Sequence, residues 1–166
     1  MPLNVQTLSA KWDDYALLDS GAALGRGNGP LLVRRACVVV RSEPKAWWSP
    51  AGKSLWASAD ARYFDDDKKS ARWEFFEKVS PPKLRFGKVE FLTKFMDGSK
   101  HLGVFPEQKP HWEFIMSMAG VFGAKLAKAG LPPRRPSLLN LFGYTGAATL
   151  AAAAAGYEAV HVDASK

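Results

Sequence analysis

The chain has 166 residues, 47% of them hydrophobic and 23% charged, with a net charge of +7. That length holds one ordinary domain, or a small domain and part of a second, and the balance of apolar and charged residues excludes a disordered chain. The single cysteine, Cys37, excludes an internal disulfide framework and points to a reducing, cytoplasmic compartment.

The N-terminal residues, MPLNVQT, contain neither the basic nor the apolar segment of a secretory signal. Tyr15 to Gly21 reads as a strand running into a turn, and Gly25 to Pro30 (GRGNGP) as a loop. Leu31 to Arg41 (LLVRRACVVVR), with its β-branched core, predicts one strand, and Trp47 to Gly52 a further turn. Cys37 lies in that apolar run, which assigns it to the core rather than to nucleophilic chemistry. From Leu55 to Phe95 aromatic and charged residues alternate. Arg72 to Val79 and Leu84 to Phe95 then read as consecutive antiparallel strands, with Asp65 to Lys69 a charged loop between strands. His111 to Ala129 has Trp112, Ile115, Met116, Ala119, Phe122 and Leu126 near helical spacing, and Gly130 and Pro132 stop that helix. Pro132 to Pro136 (PPRRP) is a stiff connector.

The last thirty residues carry most of the functional information. An apolar run, Leu138 to Phe142, meets a turn containing Gly143 and Gly146; an Ala-rich helix follows to Ala155, then Gly156, a strand from Ala159 to Val162, and Asp163. This is the pattern of a β-α-β unit with a glycine-rich first turn and an acid at the end of the second strand. Ser137 to Tyr157 is also an uncharged stretch of 21 residues, long enough to cross a bilayer. Its alanines, glycines and polar residues (Asn140, Tyr144, Thr145, Thr149) disfavour insertion, so a soluble strand-turn-helix is expected.

The glycine spacing is G-x-x-G, without the middle glycine that makes room for a pyrophosphate in dinucleotide binders. A cofactor without phosphates needs no such cradle, and S-adenosylmethionine fits, its amino-acid end at the turn and its ribose near the next strand end. Asp163, 17 residues beyond Gly146, stands where a carboxylate accepts hydrogen bonds from both ribose hydroxyls. As isolated letters these signals equally describe a structural turn.

Leu139 to Gly156 (LNLFGYTGAATLAAAAAG), followed by His161 to Lys166 (HVDASK), resembles the class I S-adenosylmethionine-dependent methyltransferases, in the branch of the large-subunit ribosomal RNA C5-cytosine methyltransferases. Upstream, Lys100 to Gln108 (KHLGVFPEQ) resembles the family segment G-x-x-x-D-Q-R, with Glu in place of Asp and Lys109 in place of Arg. The resemblance implies a cofactor site made by Glu107, Gln108, Phe142, Gly143, Tyr144, Thr145, Gly146, Asp163, Ala164 and Ser165. For Glu107 and Gln108 the plain alternative is helix-start chemistry.

The resemblance also implies the fold class: an α+β N-terminal region with a small antiparallel sheet, joined to the start of an α/β Rossmann-like methyltransferase domain. Residues 1–99 are then a β-rich substrate-side domain, 100–136 a helical connector and 137–166 the first β-α-β unit. In the family the catalytic loops follow later strands, so the chain is expected to be the N-terminal part of a longer enzyme, inactive alone, and no catalytic residue is assigned. The three histidines have no metal-ligand spacing with Cys37, so no metal is expected.

Charge is unevenly placed: residues 1–136 carry 22 Lys/Arg against 14 Asp/Glu, and residues 137–166 one against two. A basic front half suits a polyanion, and RNA, ribosomal RNA in particular, is the expected partner. Trp47, Trp48, Trp56 and Trp73, interleaved with Lys45, Lys53, Arg62 and Arg72, suit either base stacking or the core of a small sheet. Two competing readings remain: a non-catalytic RNA-binding or assembly module with a vestigial cofactor unit, and a nicotinamide oxidoreductase, which the absent middle glycine disfavours.

Overall fold

The computed structural model of the protein describes Trp12 and residues 16–21, 29–34, 37–43, 45–65 and 71–164. These fall into two compact units, one formed from Lys11–Leu84 and Leu92–Gly103, the other including Arg85–Phe91 and Val104–Lys166.

The first unit is built on a five-stranded sheet in chain order: β1 (Ala16–Gly21), β2 (Gly29–Arg34), β3 (Cys37–Val40), β4 (Ala61–Phe64) and β5 (Arg72–Phe75). The single strand expected over Leu31 to Arg41 is two antiparallel strands, with Arg34 opposite Cys37 and Leu31 opposite Val40. Gly29 and Pro30 of the expected loop belong to β2, while residues 25–28 and 66–69 of the expected loops lie outside the described residues.

The sheet is mixed rather than antiparallel, because β3 and β4 pair in parallel, Val39 opposite Ala61. A parallel pair needs a crossover of a dozen residues or more. Residues 41–60 supply it, and they contain a short helix, α1 (Lys53–Ala57), inside the stretch that the alternation had marked as strand from Leu55. That helix carries Trp56 into an apolar cluster with Val40 and Ala59, so burial of one tryptophan overrides the local alternation. On the opposite sheet face Cys37, Val39, Ala61, Tyr63 and Trp73 make the main cluster. Both faces of β3 are therefore covered, as its uninterrupted CVVV run requires. Burial raises the Tyr63 phenol above its ordinary pKa, with Asp65 and Asp97 adding to the effect. Nearby, the Lys45 backbone N–H and then Lys100 hold the Glu43 carboxyl below its usual range.

β6 (Lys83–Phe86) and β7 (Val89–Leu92) form a two-stranded hairpin turned at Gly87, where φ is 56°. In the second unit the rings of Phe86 and Phe91 meet Trp112 at 5.4 Å each. Trp112 belongs to α2 (Lys109–Lys128), which begins two residues before the expected start with Pro110 in its first turn, where the missing N–H costs nothing. Its covered stripe runs through Trp112, Ile115, Ala119, Phe122 and Leu126; Met116, placed on that stripe by spacing, is exposed.

The expected uncharged stretch resolves into β8 (Ser137–Leu141), a turn and α3 (Ala147–Ala154), followed by β9 (Glu158–Val162). β8 and β9 pair in parallel from Ser137 opposite Glu158 to Leu141 opposite Val162, a β-α-β unit. No helix among the described residues is long and apolar enough to cross a membrane. α2 packs with this unit, and the Tyr157 hydroxyl donates to the Ile115 carbonyl (2.8 Å).

Both long helices end in the same way. Gly130 (φ 64°) and Gly156 (φ 92°) take left-handed conformations, and the next residues, Leu131 and Tyr157, return N–H bonds to Leu126 and Ala152. A Cβ at Gly156 would meet open space, so the cost of Gly156→Ala is conformational alone. Chemical denaturation should show a loss of about 1–2 kcal/mol for that change.

Candidate functional site

The β8–α3 turn is held from three directions. Gly143 N–H donates to the Val162 carbonyl (2.9 Å), tying the turn to the end of β9, and Gly146 N–H closes it by donating to Gly143 O (2.9 Å). Tyr144 N–H donates to Asp163 Oδ2 (2.6 Å). Two non-glycine residues in this turn have positive φ, Phe142 at 58° and Tyr144 at 53°, and Gly146 lies at 91°. Left-handed backbone at two bulky residues costs about 1–3 kcal/mol each, which a turn sustains only when its neighbours hold it there.

Beside this turn is a cavity of about 490 Å³, lined by Phe105, Glu107, Gln108, Trp112, residues 140–144, Ala147 and Ala148. Its size lies within the ordinary range for small-molecule sites. The fold thus brings together two segments distant in the chain: the 3-10 turn Pro106–Gln108 and the strand-to-helix turn. The Phe105 and Tyr144 rings meet at 4.9 Å, and Glu107 contributes a carboxylate to the wall.

Of the residues singled out from sequence, Glu107, Gln108, Phe142, Gly143 and Tyr144 line the cavity. Gln108 stands at the N-cap of α2 but makes no side-chain capping bond; its Oε1 accepts from His111 Nδ1 (2.8 Å). Thr145, Gly146, Asp163 and Ala164 are not among the lining residues, and Ser165 lies outside the described residues. Gly146 serves as the left-handed N-cap of α3, and Asp163 braces the turn through Tyr144. Asp163 was expected as a ribose acceptor, and one of its oxygens is engaged by the protein's own backbone.

Sequence reasoning missed Phe105, Trp112, Asn140, Leu141, Ala147 and Ala148 as lining residues. Phe105 was within reach, two positions before Glu107 in the same segment. Trp112 was assigned to the core by its helical spacing, and it is both buried and part of the cavity wall.

No family model and no curated protein matches the chain. Among solved structures, the crystal structure of the SAM-dependent methyltransferase from Agrobacterium tumefaciens is similar to it, with 39% sequence identity and a TM-score of 0.77 over 95% of this chain. The match covers 46% of that protein, so the chain spans less than half of its neighbour's length.

Proposed function

We propose that the chain is the cofactor-side part of an S-adenosylmethionine-dependent methyltransferase of class I that acts on RNA, ribosomal RNA in particular. The observation that carries this reading is the convergence of Glu107-Gln108 with the Phe142–Tyr144 turn around one cavity. The similarity to a SAM-dependent methyltransferase supports it.

The residues present fit the cofactor. When bound, S-adenosylmethionine supplies an activated methyl group on a sulfonium. Glu107 opposes positive charge, and the Phe105 and Tyr144 rings offer flat surface to a base. The protein's part in such a transfer is position and exclusion of water. In this reading the cavity beside the β8–α3 turn binds the cofactor. Calorimetry with S-adenosylhomocysteine and, in competition, NAD tests the cofactor class. Transfer of labelled methyl groups to unmodified ribosomal RNA by the intact gene product tests the activity; failure of both overturns the reading. RNA binding without S-adenosylhomocysteine binding would put the non-catalytic module ahead.

The RNA half of the proposal draws support from the tryptophans. Trp12, Trp56, Trp73 and Trp112 are all buried, whereas the adjacent Trp47 and Trp48 are 79% and 49% exposed. They lie in a stretch, residues 41–53, that carries Arg41, Lys45 and Lys53 against Glu43 alone. Stacking of an unpaired base on an aromatic side chain is worth about 1–3 kcal/mol. Trp47→Ala and Trp48→Ala are each expected to weaken binding of an unpaired ribosomal RNA oligonucleotide by about 5- to 100-fold at constant salt. Fluorescence anisotropy reads this directly, and unchanged affinity in both variants would remove the stacking surface from the proposal.

A further inference from the structure

We infer that His161 is a positioning residue for the glycine turn: its imidazole is the floor over which Gly143 and Gly146 are laid, and it fills the space that a side chain at position 143 would take. The functional consequence rests on the cofactor reading above; the geometry does not.

The two glycines of the turn are required for different reasons. Gly146 has φ of 91°, and a Cβ there would stand 3.7 Å from His161 Cε1, an ordinary contact, so its need is conformational. Gly143 lies outside the left-handed region, so backbone freedom does not explain it. A Cβ on Gly143 would instead overlap the His161 ring, with Cε1, Nδ1 and Nε2 all inside the distance that real Cβ atoms keep. The reason for glycine at 143 is therefore the histidine on the neighbouring strand.

That ring is held by a relay through three elements. Asn140 Nδ2, on β8, donates to Thr149 Oγ1 on α3 (2.8 Å), and Thr149 Oγ1 pairs with His161 Nδ1 on β9 (3.0 Å). A threonine hydroxyl has one proton and two lone pairs, so Thr149 Oγ1 can accept from Asn140 and pair with the imidazole at the same time. Asn140 is itself part of the cavity wall. The wall, the helix and the ring under the turn are thereby one connected assembly, in which His161 supports the turn that contributes Gly143 and Tyr144 to the cavity.

The test is a double-mutant cycle on the whole chain with Gly143→Ala, His161→Ala and the pair, read by S-adenosylhomocysteine affinity and by thermal unfolding. Gly143→Ala alone is expected to weaken binding by about 10- to 100-fold, because the added methyl forces ring or turn to move. His161→Ala alone should cost less than about tenfold, and the pair should bind better than Gly143→Ala, since the methyl then enters the space the ring has left. Independent effects, with the pair as weak as the product of the singles, would overturn the inference. If the unmodified chain binds no S-adenosylhomocysteine, the cofactor reading fails, and the unfolding midpoints decide the inference by themselves. Recovery of the Gly143→Ala midpoint by His161→Ala sustains the steric lock, and additive losses reject it.

Discussion

Asp163→Ala is expected to weaken S-adenosylhomocysteine binding by about 10- to 100-fold, the equivalent of one lost charge-assisted hydrogen bond. The bond concerned is Tyr144 N–H to Asp163 Oδ2, at 2.6 Å. Tyr144 has φ of 53° and lines the cavity, with its ring against Phe105. Loss of the carboxylate removes a charge-assisted restraint on that backbone, and relaxation toward negative φ would move the ring with it. Asp163→Asn keeps a carbonyl acceptor and loses the charge, so its affinity should fall between the two. Calorimetric titration of the three proteins checks the order, and equal affinity for Asp163→Ala and the unmodified chain would show that the brace does not shape the site.

The second large effect is on stability. Trp73→Ala is expected to cost about 3–5 kcal/mol, the range for removing a buried aromatic side chain. Trp73 is 6% exposed at the centre of the main sheet cluster, with Tyr63 at 5.4 Å and Phe95 at 4.9 Å between ring centroids. Its Nε1–H donates to the Ser99 carbonyl (3.0 Å), fixing the 98–101 segment to β5. A total domain stability is only about 5–15 kcal/mol, so this one change removes a large part of it. Trp73→Phe retains most of the apolar contact and loses the hydrogen bond, and should cost markedly less. Urea denaturation followed by near-ultraviolet circular dichroism separates the two variants; a loss under about 1 kcal/mol for Trp73→Ala would place the cluster's weight elsewhere.

The β-α-β unit was legible from the chain itself because its determinants are local. An uncharged apolar run, two glycines at a turn, an alanine helix and a glycine stop each act over a few residues, and the observed β8, α3 and β9 follow them closely. The same holds for the end of α2 at Gly130, where a left-handed residue is needed and glycine supplies it at least cost. Of the residues expected by resemblance to hold a cofactor, Glu107, Gln108 and the Phe142–Tyr144 turn line one cavity, and Thr145, Gly146, Asp163 and Ala164 do not.

Other features depended on partners distant in the chain. The division of Leu31 to Arg41 into two strands and the parallel pairing of β3 with β4 are decided by which strand edge each segment meets. Alternation is blind to that choice, since a strand has the same period in either direction. Which tryptophans are buried was likewise undetermined: Trp56 goes inward on a helix too short to announce itself, while Trp47 and Trp48 stay outside. The brace from Asp163 to the turn was hidden for the same reason, because its distance to the Tyr144 N–H exists only once β9 is registered against β8. Gly143 makes the point most directly. Its sequence marks a turn, but the ring that fills the place of a side chain there belongs to His161, eighteen residues away and adjacent only in the folded sheet.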